Sequence, residues 1–175
     1  MKKLLVIVDM QNDFIDGALG TKEAEAIVEN VANKISAWDG DIVCTLDTHY
    51  PDYMSTQEGK NLPVVHCVEN TDGWQLSKKI KAAIDAKDKD TKIFKKVTFG
   101  SLALAEYIRD EGYESAEFIG LCTDICVISN VMTTKSASPE IPITVDAACC
   151  AGVTPQSHKN AIEAMKMCQV KIINE

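Results

Sequence analysis

The fold is decided at Lys3-Leu-Leu-Val-Ile-Val8, a continuous apolar run that is typical of a strand buried on both faces. Residues 21–38 then place apolar side chains at helical spacing, and residues 41–46 give a second strand pattern. The alternation continues: further helices are predicted at about 76–86, 101–111, from 123 onward and 155–167, and further strands at 91–95, 116–121, 143–145 and 170–173. This order predicts an α/β fold with three Rossmann-like layers, in which helices flank a six-stranded, mainly parallel sheet.

Composition limits what such a domain can do. The 175 residues carry 18 Lys+Arg against 26 Asp+Glu, a formal net charge of −8, without a block of basic residues. We therefore expect neither nucleic acid nor a membrane surface as a partner, because both attract basic proteins. Apolar runs fall far short of the roughly 20 residues of a bilayer span, and no signal-peptide pattern is present. We expect a cytoplasmic protein with a single domain over residues 1–175.

Cysteine is frequent, with seven residues, and histidine is scarce, with three. An odd number of cysteines in a reducing compartment argues against a disulfide framework and leaves metal binding, catalysis or core packing. Cys122 and Cys126 could form a redox or metal-binding pair, although three rather than two residues separate them. The other cysteines are interpreted as small core residues: Cys44, Cys67, Cys149, Cys150 and Cys168.

Reactive side chains follow the ends of the predicted strands. Asp9 follows the first strand, Asp47 and His49 the second, Lys96 the third and Cys126 the fourth. Ligands of open α/β sheets bind beyond the carboxyl ends of the strands. We therefore expect these five side chains to meet at one edge of the sheet.

Three of these side chains suggest nucleophilic catalysis. Cys126 lies in the first turn of a predicted helix, where free N–H groups favour a thiolate and where Asp124 or Thr123 would cap the turn. A carboxylate at the end of an apolar strand, such as Asp9, is costly to bury without a cation, and Lys96 could supply one. Taken singly, Asp9 could cap a loop and Lys96 could be solvated. Together they predict that Asp9 accepts the thiol proton while Lys96 keeps Asp9 ionised.

The polar stretch 47–72 is too long for an ordinary connection. It contains Asp47, His49, Glu58 and His66. Imidazole and carboxylate ligands with open positions suit Zn²⁺, Fe²⁺ or Mn²⁺ in a catalytic role, so we expect a divalent metal here. The remaining histidine, His158, is interpreted as a capping or packing residue of the last helix.

These residues together resemble the isochorismatase-like cysteine hydrolases, and within them the nicotinamidase/pyrazinamidase branch. The likeness covers essentially the whole chain. It is carried by Val8-Asp-Met-Gln-Asn-Asp-Phe14, Asp47-Thr-His49 with His66-Cys67, Lys96-Val-Thr-Phe-Gly-Ser101, and Gly120-Leu-Cys-Thr-Asp-Ile-Cys-Val127.

The resemblance implies a role for each matching residue. Asp9 matches the acid–base aspartate, Lys96 the family's lysine and Cys126 the nucleophile that forms a thioester. A cis peptide is implied between Leu121 and Cys122, so that the backbone N–H groups of Cys122 and Cys126 form an oxyanion hole. Phe14 matches one aromatic wall of the substrate pocket.

The resemblance also implies a metal, an activity and an assembly. Asp47, His49 and His66 match metal ligands, Glu58 fits a variant with a glutamate, and zinc is the expected ion, with iron or manganese as alternatives. The family's metal holds a pyridine nitrogen, so the implied reaction converts nicotinamide and water to nicotinate and ammonia. Relatives are commonly oligomers, so we expect a homo-oligomer.

Two alternatives stay open at this point. Many relatives carry a tryptophan just before the last metal histidine, where this sequence has Pro63-Val64-Val65. A related hydrolase acting on another small amide, of the carbamoyl or maleamate type, is therefore a second candidate, and Trp74 could lie inside or outside the pocket. A non-catalytic zinc- or thiol-binding protein is a candidate from a different class.

Overall fold

The computed structural model describes residues 2–87 and 90–175. Its strands are β1 (Lys3–Val8), β2 (Asp41–Asp47), β3 (Lys92–Lys96), β4 (Ser115–Leu121), β5 (Ile143–Ala151) and β6 (Lys171–Ile173). Its α-helices are α1 (Asn12–Ile15), α2 (Lys22–Ala37), α3 (Gln57–Asn61), α4 (Lys78–Asp85), α5 (Leu102–Asp110), α6 (Ile128–Ala137) and α7 (Pro155–Met167). A 3₁₀ turn, Tyr53–Ser55, precedes α3, and a π-helical turn, Thr123–Val127, leads into α6. We call the latter the cysteine turn.

The strands form one sheet in the order β3-β2-β1-β4-β5-β6, and every ladder between them is parallel. The predicted α/β fold with helices flanking a six-stranded sheet is thereby confirmed. The chain runs outward from β1 through β2 to β3, then returns to pair β4 with the other side of β1. The order reverses between β1 and β4, which is where ligands of such sheets bind.

The two faces of the sheet carry separate apolar clusters. Along β1, Leu5 and Ile7 point into the cluster shared with α2 and α4, whereas Val6 and Val8 point into the cluster shared with α5, α6 and α7. All four side chains are fully buried, which explains why β1 is apolar throughout rather than alternating. Within the described ranges, no helix combines the length and apolarity needed to cross a membrane.

Two segments differ from their predicted bounds. Strand β5 continues to Ala151, well beyond the predicted 143–145, and its register against β4 shifts between Phe118 and Gly120. The extra residues of β5 are mostly alanine and cysteine, whose small side chains give no strand periodicity. The loop 47–72 contains the short helix α3, which begins where the Thr56 hydroxyl accepts from the Gly59 N–H at 3.0 Å. A helix of five residues is too short to show helical spacing.

At Gly120, strand β4 has no room for a side chain. Its φ is +120°, and a Cβ there would lie 2.1 Å from the Val8 carbonyl oxygen of the neighbouring strand. We expect Gly120→Ala to lower the free energy of unfolding by about 3 kcal/mol or more, because backbone strain and a backbone clash add. Urea unfolding followed by circular dichroism measures this loss.

Gly112→Ala is the control for that substitution. Gly112 also has a positive φ, +67°, but a Cβ there meets nothing within 4 Å. Its replacement should cost only the conformational penalty, about 1 kcal/mol. Equal losses at both positions would contradict the steric explanation for Gly120.

Candidate active site

The carboxyl edge of the sheet brings together the polar residues that follow its strands. Asp9 follows β1 directly, Asp47 ends β2, Lys96 ends β3, and Cys126 lies in the cysteine turn after β4. All four side chains are buried. These strand-end side chains therefore lie together at one edge of the sheet.

Asp9, Lys96 and Cys126 form one cluster. The Lys96 ammonium lies 2.6 Å from Asp9 Oδ2 and donates to Cys126 Sγ at 3.5 Å. On its other side Asp9 Oδ1 accepts from the Thr45 hydroxyl at 2.6 Å. Asp9 has a left-handed backbone, with φ +46°, directly after the strand. This arrangement places a base, a cation and a thiol within reach of one another.

Burial sets the protonation of this cluster. Desolvation raises the pKa of Asp9 more than the neighbouring Lys96 lowers it. Burial also raises the pKa of the Cys126 thiol well above its usual range, and the Asp9 carboxylate adds to that shift. For Lys96, Asp9 and the other negative neighbours outweigh burial, so its pKa is raised and it is charged. The helix start therefore does not give a thiolate in the resting site, and the thiol needs a base before it can attack.

The cysteine turn also differs from its predicted cap. Its N-cap residue is Cys122, preceded by the cis peptide that was expected between Leu121 and Cys122. The Cys122 side chain makes no capping hydrogen bond, and the Ile125 N–H donates to the Cys122 carbonyl oxygen at 3.1 Å. The Asp124 carboxylate accepts instead from the Val153 N–H, at 3.2 Å to each oxygen. Capping by Asp124 or Thr123 was thus predicted wrongly: Asp124 is engaged by Val153, and the Thr123 hydroxyl lies 2.8 Å from His158 Nδ1.

Asp47, His49, Glu58 and His66 form a second cluster beside the first. One ligand atom from each lies within 4.8 Å of all the others. His49 Nε2 lies 2.9 Å from Asp47 Oδ2 and 3.6 Å from Glu58 Oε1, and His66 Nε2 lies 3.4 Å and 3.8 Å from the same two oxygens. Two nitrogens and two carboxylate oxygens thus converge on one point.

This cluster fits a divalent metal. His49 Nε2 is buried and, among the described residues, lacks a hydrogen-bond partner of good geometry, although it faces the carboxylates. His66 Nδ1 lies 2.7 Å from the Val64 carbonyl oxygen, an arrangement that leaves Nε2 free to act as a ligand. Although burial opposes it, the neighbouring imidazoles of His49 and His66 and the Lys96 ammonium lower the pKa of Asp47, so its carboxylate is ionised. Buried imidazole nitrogens and an ionised carboxylate are suitable ligands for a divalent cation.

The four residues Asp47, His49, Glu58 and His66 are called the metal cluster below. Two residues that the sequence analysis did not single out, Gln11 and Asp13, hold it in place. Buried Gln11 accepts from the Asp47 N–H at 2.8 Å and donates to the carbonyls of Asp47 and Trp74 at 2.8 and 2.9 Å. The Asp13 carboxylate accepts from the Cys67 N–H at 2.7 Å, beside His66. Both belong to the motif at residues 8–14. Their polar side chains follow a buried strand directly, and this was the signal in the sequence that could have identified them.

Trp74 supports the loop and does not line the cavity at Cys126. Its indole N–H donates to the Thr48 hydroxyl at 2.9 Å, between Asp47 and His49. The ring is buried, and the Lys95 ammonium lies 5.0 Å from its centroid. The tryptophan therefore fixes the loop that carries the metal cluster.

A cavity of 190 Å³ connects the two clusters. Cys126, Asp47, Glu58 and His66 lie on its wall. Its apolar lining includes Phe14, Leu19, Leu62, Phe99, Ile125 and Val153. The Phe14 ring lies 5.6 Å from that of His66. A site of this size and lining can hold one small, flat, mostly apolar ring with a polar group directed at the thiol.

The cysteines other than Cys122 and Cys126 do not line this cavity. All seven are free of disulfide bonds. Cys44, Cys67, Cys149 and Cys150 are buried, and Cys168 is partly buried at the end of α7. The candidate metal group does not include Cys122 or Cys126.

Known proteins resemble this chain over most of its length. The family model described as the isochorismatase domain matches residues 3–174. The nicotinamidase of Escherichia coli is 28% identical over 195 residues, covering 94% of this chain and 90% of that protein. The nicotinamidase/pyrazinamidase of Mycobacterium tuberculosis is 27% identical over 192 residues, covering 98% of each.

Solved structures share the fold. The crystal structure of the nicotinamidase/pyrazinamidase from Bacillus subtilis superposes with a TM-score of 0.87 at 22% identity, covering 99% of this chain and 100% of that one. The pyrazinamidase of Pyrococcus horikoshii, solved in complex with zinc, gives a TM-score of 0.85 at 25% identity and covers 100% of both chains.

Proposed function

This chain belongs to the isochorismatase domain family, and from that premise we propose that it is a metal-containing cysteine amidohydrolase that converts nicotinamide and water to nicotinate and ammonia. One observation carries the proposal: the ammonium of Lys96 lies 2.6 Å from Asp9 and 3.5 Å from the Cys126 thiol, and Cys126 shares a cavity wall with Asp47, Glu58 and His66 of the metal cluster. A thiol, a base and a metal cluster around one ring-sized space suit cleavage of a ring carboxamide.

The first half-reaction forms a thioester. Asp9 accepts the thiol proton of Cys126, and the resulting thiolate attacks the carboxamide carbon. The carboxamide oxygen takes up negative charge, which the backbone N–H groups of Cys122 and Cys126 stabilise. Asp9 then gives its proton to the amide nitrogen as the carbon–nitrogen bond breaks, and ammonia leaves.

The second half-reaction restores the thiol. Asp9, again a carboxylate, takes a proton from water, and the oxygen of that water attacks the thioester carbon. The carbon–sulfur bond breaks, the sulfur regains a proton, and the carboxylic acid leaves. Lys96 stays charged throughout and favours the ionised forms of Asp9 and Cys126 when the proton moves between them.

The metal cluster has a separate task. Asp47, His49, Glu58 and His66 would hold the ion, and a divalent metal bound there supplies a Lewis-acid position for a ring nitrogen. Zinc is the ion we propose, because two imidazoles and two carboxylates suit it and because the Pyrococcus horikoshii relative was solved with zinc. Phe14 provides an aromatic wall against the ring.

One feature favours a second substrate class. The stretch before His66 is Pro63-Val64-Val65, and the aliphatic Leu62 contributes to the cavity wall there. A wall without an aromatic face binds a planar ring less selectively. Small linear amides of the carbamoyl or maleamate type are therefore the alternative substrates.

An ammonia-release assay tests these proposals together. Nicotinamide, pyrazinamide, maleamate and a carbamoyl compound are compared with the untreated protein, the chelated protein, and the chelated protein resupplied with zinc, iron or manganese. We expect the highest kcat/KM with nicotinamide or pyrazinamide, a loss of at least tenfold after chelation, and recovery with zinc. Turnover confined to the linear amides would select the alternative, and no ammonia from any amide would overturn the proposed function.

A further inference from the structure

His158 contacts the cysteine turn from outside the catalytic cavity. Its Nδ1 lies 2.8 Å from the hydroxyl of Thr123, the first residue of the turn, whose side chain is fully buried. The 190 Å³ cavity is not lined by His158, which faces a separate cavity of 490 Å³ on α7. Sequence reasoning had assigned this histidine to capping or packing.

The contact determines where the Thr123 hydroxyl points. Threonine and aspartate near the start of a helix commonly turn their side-chain oxygens onto the free N–H groups of the first turn. In this turn neither residue does so: Thr123 is engaged by His158, and Asp124 by the Val153 N–H. The N–H groups that the proposed mechanism needs are therefore not occupied by the turn's own side chains.

We propose that His158 is a positioning residue for amide hydrolysis, which holds the Thr123 hydroxyl away from the cysteine turn so that the N–H groups of Cys122 and Cys126 stay available to the substrate oxygen. The inference rests on the proposed function. His158 acts only through Thr123. Since these N–H groups bind charge that develops in the transition state, the contact affects kcat more than KM.

The surroundings of His158 agree with this role. The side chain is half-buried, and burial, together with Lys159, lowers its pKa although Asp124 opposes the shift. The ring is therefore neutral at pH 7 and can hydrogen-bond the hydroxyl without placing a positive charge beside the turn. Gly152 lets α7 approach closely, because a Cβ there would lie 2.7 Å from the His158 backbone nitrogen.

Two substitutions at His158 separate the hydrogen bond from the volume of the ring. His158→Phe keeps a ring but removes the nitrogen, and we expect kcat with nicotinamide to fall by about 10- to 100-fold while KM changes less than about twofold. His158→Asn keeps a hydrogen-bonding group near the position of Nδ1 and should retain kcat within about threefold. If the phenylalanine variant does not fold, His158→Leu replaces it, because leucine also lacks the nitrogen and keeps much of the side-chain volume.

A second-site change provides the decisive test. In the double variant His158→Phe/Thr123→Val the hydroxyl that could turn inward is absent, so kcat should recover to within about threefold of the wild-type value. A purely structural role for His158 predicts the opposite, because a second buried substitution would add to the damage. A double variant as slow as His158→Phe, or slower, overturns the inference.

Ser157→Ala is the control on the same helix. Ser157 and Thr154 form the capping box of α7, and the side-chain hydrogen bonds of Ser157 are made with Thr154. This variant should lower Tm without changing kcat. An equal fall in kcat for Ser157→Ala and His158→Phe would mean that helix stability, not the Thr123 contact, is responsible. A wild-type protein that releases no ammonia would reject the proposed function itself and the inference with it, whereas an active wild type with an equally active His158→Phe rejects the inference alone.

Discussion

Alanine in place of Cys126 is expected to abolish amide hydrolysis, lowering kcat/KM with nicotinamide by about 10⁴-fold or more. The reason is that no thioester can form without the sulfur, and water alone would have to attack a carboxamide. Ammonia release at saturating and limiting substrate measures the loss. Mass spectrometry of acid-quenched wild-type protein should in addition find the acyl group on the peptide that contains Cys126.

Cys150→Ala is the control for this substitution. Cys150 lies in the same apolar cluster, and its exposed fraction, 4%, is close to the 5% of Cys126. Each change removes one sulfur from the core, so both should lower stability by a similar amount, about 1 kcal/mol. Only Cys126→Ala should lose activity. An active Cys126→Ala variant would show that the nucleophile lies elsewhere.

The position of the candidate site was predictable because it is determined mainly by the topology of the sheet. Strand β1 is buried on both faces, so its apolar run is easy to recognise, and the residue that follows it, Asp9, must lie at the carboxyl edge. The same reasoning places Cys126 beyond β4. Parallel pairing of β1 with β4 then brings the two residues to the same place without any information on side-chain contacts.

The protonation of the thiol was not predictable in the same way. The sequence indicates a helix start, which lowers a thiol pKa, but it does not reveal how deeply Cys126 is buried or that Asp9 faces it. Burial and the carboxylate outweigh the helix terminus. Similarly, the caps expected at Asp124 and Thr123 failed because Val153 and His158, about 30 residues away, provide better partners.

The loop 47–72, which carries the predicted metal ligands, was predictable only in part. The residue types at 47, 49, 58 and 66 predict a metal, but the path that brings them together depends on the short helix α3 and on the buried side chain of Gln11. Neither leaves a periodic signal in the sequence. The position of Trp74 outside the cavity likewise involves a hydrogen bond to Thr48 that the sequence does not show.

Asparagine in place of Asp9 is expected to lower kcat by about 10³- to 10⁴-fold while the fold is retained. The amide cannot accept the thiol proton of Cys126 or return one to the leaving nitrogen, so the reaction loses both its base and its acid. Asparagine is the suitable replacement because it matches the volume of aspartate and tolerates the left-handed backbone at this position, φ +46°. KM should change little, since Asp9 does not line the cavity.

Asp146→Asn separates this chemical effect from the loss of a buried ion pair. Asp146 is as buried as Asp9, and its partner Lys34 lies 2.6 Å away, the same distance as Lys96 from Asp9. Asp9→Asn leaves the buried Lys96 with Asp47 at 3.4 Å and should cost about 3 kcal/mol of stability. Asp146→Asn leaves the partly exposed Lys34 paired with Glu117 at 2.7 Å and should cost less. Asp146→Asn should keep full ammonia release in the folded fraction. If Asp9→Asn retained kcat within tenfold of wild type, or if Asp146→Asn lost as much activity, proton transfer through Asp9 would have to be abandoned.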